Sequence, residues 1–167
     1  MTDFEKYIQA YLDLVPSENW IEEMDFAGAK TFEFYSQLSE EQSLFAYDEG
    51  KWSLKELLQH LIDTERVFNY RALTFARQDK VELPGFDEEL WAKNSEANDR
   101  ALESLIDEFS FVRKANVLFF EGLSDEALSQ TGLANGNSIQ VETIGKLIVG
   151  HNIHHLNIIK ERYAPKM

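Results

Sequence analysis

Four long stretches of this chain place apolar residues at the three-and-four spacing of a helix, and none alternates them at the period of a strand. That pattern confines the chain to an all-α architecture, because each apolar stripe must be buried against other helices. The clearest start is Ser53-Leu54-Lys55-Glu56. Ser53 can accept from the backbone N–H three residues on, and Glu56 can reach back to the N–H of Ser53, a capping box. The helix it opens is expected to reach about Arg77, with Leu54, Leu57, Leu58, Leu61, Phe68, Ala72 and Phe75 on one stripe. Another is predicted over residues 18–37, with Ser17 as its N-cap, after Pro16 has ended a short amphipathic segment over 3–15. A third is predicted over 98–122 and the last over 141–163, stopping before Pro165.

The connections carry turn chemistry. LSEEQSLFAYDEGKW has a turn at Asp48-Glu49-Gly50, and QDKVELPGFDEELWAKN is a long crossover broken at Pro84-Gly85. Ser124-Asp125-Glu126 begins a short helical turn, and GLANGNS reads as a glycine-rich loop. The β-branched residues are scattered, so no internal sheet is expected. The expectation is a four-helix bundle with a long crossover connection, one domain over residues 1–167.

With no cysteine, the chain has no disulfide, no thiolate metal site and no cysteine nucleophile, and a cytoplasmic location is expected. The acidic start MTDFEKYIQAYLDLV does not resemble a secretory signal, and no run approaches the ~18 apolar residues of a membrane span. A net charge of −14 repels phosphate backbones, which argues against nucleic-acid binding.

Imidazole is then the strongest transition-metal ligand left, and three of the four histidines, His151, His154 and His155, crowd into five residues of the last helix. At 100° per residue from Ile144, His151 falls at about 340° and His155 at about 20°, in the middle of the apolar stripe. Such an i, i+4 pair lets two nitrogens converge on one ion from a single helix. His154 falls near 280°, roughly at the flank, and reads as a surface or supporting residue rather than a ligand. His60 lies near 240° counted from Leu54, roughly at the edge of its stripe, where it faces a seam with a neighbouring helix and could supply a third nitrogen. Three nitrogens and an open position are the plan of a catalytic metal site.

Other metal motifs are excluded. His151-Asn152-Ile153-His154-His155 lacks the Glu of a zinc-protease helix, and no His has a Glu three residues before it as in di-iron bundles. No calcium loop and no phosphate-binding glycine loop is present. Glu65, at about 20°, lies on the core stripe. It reads first as one half of an internal ion pair with Arg66, Arg71 or Arg162, and second as an acceptor for a ligating imidazole or a general base. Asp63, at about 180°, is expected to be solvated. The loops 83–91 and 132–138 could line a substrate entrance.

KWSLKELLQHLIDTERVFNYRALTFAR, ELPGF and GHNIHHLNIIKERY, in this order, resemble the DinB-like superfamily of four-helix-bundle metalloproteins. The resemblance covers nearly the whole chain. It implies a divalent ion, zinc or nickel, held by His60, His151 and His155, and a homodimer. It also implies either thiol S-transferase or isomerase chemistry with a low-molecular-weight thiol such as bacillithiol or mycothiol, or metal-dependent hydrolysis of a small molecule. No residues matching a thiol-recognition pattern are found. The alternatives are a non-catalytic metal-binding or stress-response module with a structural metal, and an interaction protein whose histidines are core residues.

Overall fold

The computed structural model describes residues 2–167. In chain order its elements are helices α1 (Asp3–Leu12), α2 (Trp20–Ser36), α3 (Glu40–Ser43), α4 (Leu54–Ala76), α5 (Glu88–Lys93), α6 (Leu102–Glu121) and α7 (Asp125–Ser129). Strands β1 (Thr131–Ala134) and β2 (Asn137–Gln140) and helix α8 (Val141–Ile158) complete it. The last helix continues as a π-helical turn, Ile159–Tyr163.

Helices α2, α4, α6 and α8 form the bundle. Each of α4 and α2 packs against both α6 and α8, so α2 and α4 are diagonal, as are α6 and α8. The apolar interior falls into two clusters. One gathers Trp20, Met24, Phe75, Phe120, Ile144 and Ile148; the other gathers Tyr35, Leu54, Leu58, Ile62, Leu105 and Phe109. Helices α2 and α8 run from the first cluster to the second, whereas α4 and α6 run the other way. The neighbours α4 and α6 are therefore parallel. That is why a long connection must carry the chain back along the bundle between them.

Local chemistry sets the starts of these helices. Ser53 and Glu56 form the expected capping box at α4, and Thr2 with Glu5 and Ser39 with Gln42 form two more. Helix α2 departs from expectation. It begins at Trp20 after Asn19, with no side-chain cap, while the Ser17 hydroxyl donates to Glu23 at 3.0 Å. Helix α6 begins at Leu102, four residues later than expected, because residues 97–99 form a tight 3₁₀ turn.

The expectation of no sheet is corrected. Thr131–Ala134 and Asn137–Gln140 pair as an antiparallel hairpin. Asn135 (φ 51°) and Gly136 (φ 74°) make its two-residue turn, and Asn-Gly is favoured there because both central residues need positive φ. Leu83 of the crossover pairs with this hairpin: its N–H donates to the Leu133 carbonyl and its carbonyl accepts from Asn135, at 3.0 and 2.9 Å. Gly132 lies flat on Phe75, where a Cβ would come within 2.0 Å of the ring. Crossover, hairpin and α4 are thereby locked together. Among the described residues, no helix is long and apolar enough to cross a membrane.

Candidate metal centre

His60 on α4 and His151 and His155 on α8 meet at mid-bundle. Their Nε2 atoms lie 3.0 Å apart between His60 and His151, and 3.1 Å apart between His151 and His155. All three residues are buried, and they form the one group of potential metal ligands found among the described residues. An ion 2.0–2.1 Å from each nitrogen in a tetrahedral site would set the nitrogens about 3.3 Å apart. The observed spacing is close to that value.

Hydrogen bonding alone does not account for this arrangement. A neutral imidazole nitrogen either donates one proton or offers one lone pair. Nε2 of His151 faces two other Nε2 atoms, so it can make at most one sound bond with them. Nδ1 of His155 is buried with no partner, and Nδ1 of His60 has only the Thr64 hydroxyl at 3.5 Å. The donor set, all neutral nitrogen, suits a borderline transition-metal ion such as zinc or nickel.

Electrostatics keep these rings uncharged. Burial pushes His60 down to about 4. Burial, then the neighbouring His60 and His154, push His155 down to about 3. His151 is driven well below the ordinary histidine value by burial first, then by the other histidines and Arg113. At neutral pH the lone pairs are free for a cation. His154 stands outside the cluster, half-buried and edge-on to Tyr11 with ring centres 5.3 Å apart.

A buried polar layer supports the centre between the two apolar clusters. Glu65 is buried, and its partner is Arg113, not Arg66, Arg71 or Arg162: Nε and Nη2 of Arg113 donate to its two carboxylate oxygens at 2.8 and 2.9 Å. Asn116 also donates to Glu65. The same guanidinium donates to the Met24 carbonyl and to Asn152, and Asn152 donates to Thr31. All four bundle helices are thus tied one residue away from His151. The angular reading found Glu65 but not Arg113, Asn116 or Asn152, because a single helix wheel does not show which wheels will face each other. Buried Lys55, bonded to Glu40 and to the Arg100 carbonyl, was likewise unmarked. Asp63 is half-buried rather than solvated and accepts from Gln59; burial raises its pKa.

Two cavities reach the histidines. One of about 250 Å³ is bounded by Phe4, Ile8 and Tyr11 of α1, Thr64, Phe68 and Arg71 of α4, and Ile144, Leu147 and His151 of α8. Gly85, Phe86 and Glu88 of the crossover and Ala134, Asn135 and Ile139 of the hairpin close it, so both candidate entrance loops do line it. The other, about 200 Å³, reaches His155 from the opposite end and includes Tyr47, Lys51, Trp52, Glu89 and Arg162.

The family profile described as DinB superfamily matches residues 23–159. A protein of Oceanobacillus iheyensis, named "Putative metal-dependent hydrolase OB0413", is 25% identical over 143 residues, 84% of this chain and 82% of its own length. Among solved structures, YfiT from Bacillus subtilis superposes with a TM-score of 0.77 at 18% identity, over 89% of this chain and 86% of that one. It is described as a probable metal-dependent hydrolase with an unusual four-helix bundle topology. A mycothiol-dependent maleylpyruvate isomerase superposes with a TM-score of 0.66 at 13% identity, over 92% of this chain and 62% of its own. The two structural likenesses establish the shared bundle fold.

Proposed function

The chain belongs to the DinB superfamily, and from that premise we propose that it is a metal-dependent hydrolase of small molecules, with His60, His151 and His155 as ligands of one divalent ion. The observation that carries the reading is the convergence of three buried Nε2 atoms, 3.0 and 3.1 Å apart, with His151 at the wall of a cavity. An ion held by His60, His151 and His155 would supply Lewis acidity and would lower the pKa of a water bound to it toward about 7.

The remaining steps fall to the chain itself. Phe4, Ile8, Phe68, Phe86 and Leu147 line the chamber next to His151; they bind an apolar body and exclude bulk water, which strengthens every polar interaction inside. Thr64 stands one turn beyond His60 on the same face of α4, its hydroxyl 3.5 Å from Nδ1 of that ring. Tyr11, whose hydroxyl burial keeps protonated, offers a donor where charge develops on a substrate oxygen.

A second reading, S-transfer from a low-molecular-weight thiol, is favoured by one observation. The centre is reached from both ends, by an apolar chamber at His151 and by a chamber with Lys51, Glu89 and Arg162 at His155. Two chambers suit two substrates. The test is metal analysis of untagged protein, then rates with ester and amide substrates and with thiol plus electrophile. One ion per chain and loss of turnover in His151→Ala are expected. Equal rates in wild type and His151→Ala would overturn both readings.

A further inference from the structure

The guanidinium of Arg71 is out of place for a chain with 30 acidic residues. It lines the apolar chamber, and among the described residues no carboxylate pairs with it. Nη2 donates to the Pro84 carbonyl at 2.8 Å, the cation lies over the Phe86 ring at 5.9 Å, and Nε is buried with no hydrogen-bond partner. Every other arginine bonded in the interior has a carboxylate or an amide as partner: Arg113 has Glu65, and Arg100 has Gln59. A half-buried cation held only by a carbonyl and a ring face retains unused donors in a planar fork.

Position makes this useful. His60, Thr64, Phe68 and Arg71 follow one another at helical spacing along a single face of α4, so that face carries a metal-ligating group at one end and a cation at the other. The two stand eleven positions apart on α4, about 16 Å along the axis, or on the order of 10 Å once the reach of the arginine side chain is subtracted. The wall between is apolar: Phe68 and Leu147 on the bundle side, Phe4 and Ile8 on α1. Glu88 shares the chamber without bonding to Arg71, and burial, then Glu89 and Asp87, raise its pKa toward the neutral form.

Resting on the metal-centre reading above, we propose that this chamber takes a small monocarboxylate: Arg71 binds the carboxylate, the apolar wall takes the body, and the reacting group lies at His151. A cavity of about 250 Å³ is smaller than a typical drug-sized site, which limits the body to roughly a phenyl ring and a short chain. A bidentate guanidinium–carboxylate pair in a partly enclosed chamber discriminates against a neutral isostere, because the isostere leaves donors unpaired.

The experiment compares 4-phenylbutyrate with 4-phenylbutyramide by ligand-observed NMR and calorimetry, on metal-loaded and metal-stripped protein. About a tenfold preference for the carboxylate is expected in both forms. Arg71→Gln should abolish it and Arg71→Lys retain part of it, each checked for an unchanged melting curve. Equal binding of acid and amide to wild type overturns the proposal without any variant. So does a preference that survives Arg71→Gln, which would assign the carboxylate to the metal. So does a preference that appears only in Glu88→Gln, which would make Glu88 the natural partner of Arg71. Persistence of the preference in protein that binds no ion would leave Arg71 in this role while the hydrolase reading fell.

Discussion

Glu65 and Arg113 are taken out of water together, and their value to the fold differs from the cost of separating them. Removing one partner leaves an uncompensated buried charge, so Glu65→Ala should cost about 3–5 kcal/mol in urea denaturation, and Glu65→Leu with Arg113→Met should recover much of it. A double variant as unstable as the single one would show that the hydrogen bonds to Asn116, Asn152 and Met24, rather than the charge pair, carry the layer. The histidines make a separate prediction. In metal-free protein, His60 titrates at about 4 and His155 at about 3, against about 6.5 in the unfolded chain. Between these values the unfolded chain binds protons that the folded one does not, so stability should fall as pH is lowered from about 6.5 toward 4. His60→Gln should flatten that slope. At this scale the sequence was legible where one helix sufficed: His151 and His155 share a face by spacing alone, and Ser53 with Glu56 caps α4. It was not legible where two wheels had to be docked, which is why Arg113 and Lys55 went unmarked.

Among the elements, the hairpin is what pattern reading missed. Asn135-Gly136 is a strong turn signal, but the flanking TGLA and NSIQ offer few β-branched or aromatic residues, and their pairing leans on Leu83 and Phe75 from elsewhere in the chain. Gly132→Ala would force a methyl into Phe75 and should cost about 1–3 kcal/mol, with faster amide exchange confined to residues 131–140 and the crossover. Helix α1 docks in a similar way. A Cβ on Gly150 of α8 would come within 2.2 Å of the Tyr11 carbonyl oxygen. Gly150→Ala should therefore lift α1, exposing its amides to exchange while α4 and α6 keep their protection. Uniform exchange across all helices would show instead that the substitution unsettles the whole bundle. The four long helices were readable because each exceeds sixteen residues and carries its own stripe, whereas α3, α5 and α7 are too short to show a period.

At the scale of the molecule, a metal bound at the three histidines would join α4 to α8, and its binding should appear as linkage. An ion at a hundredfold its Kd adds about 2.7 kcal/mol, a rise of about 5–10 °C in Tm for a chain of this size. Chelation should reverse the shift, and His151→Ala should show none. The net charge of −14 favours uptake of a cation and disfavours contact with nucleic acid, so no mobility shift of a DNA duplex is expected even at low salt. The parallel placement of α4 and α6 explains the long crossover, and that segment in turn supplies Gly85, Phe86 and Glu88 to the chamber. Bundle architecture and chamber wall are consequences of the same topology.

The polar knot of Glu65, Arg113, Asn116, Asn152 and Thr31 joins all four rods at a single height. Sliding any rod by one turn would break several of these bonds at once, so the rods are keyed in register by the protein itself. Imidazoles seated beside such a key stay aligned whether or not a cation sits between them. Exchange of one cation for another at that place should therefore not require the bundle to melt and re-form around the newcomer.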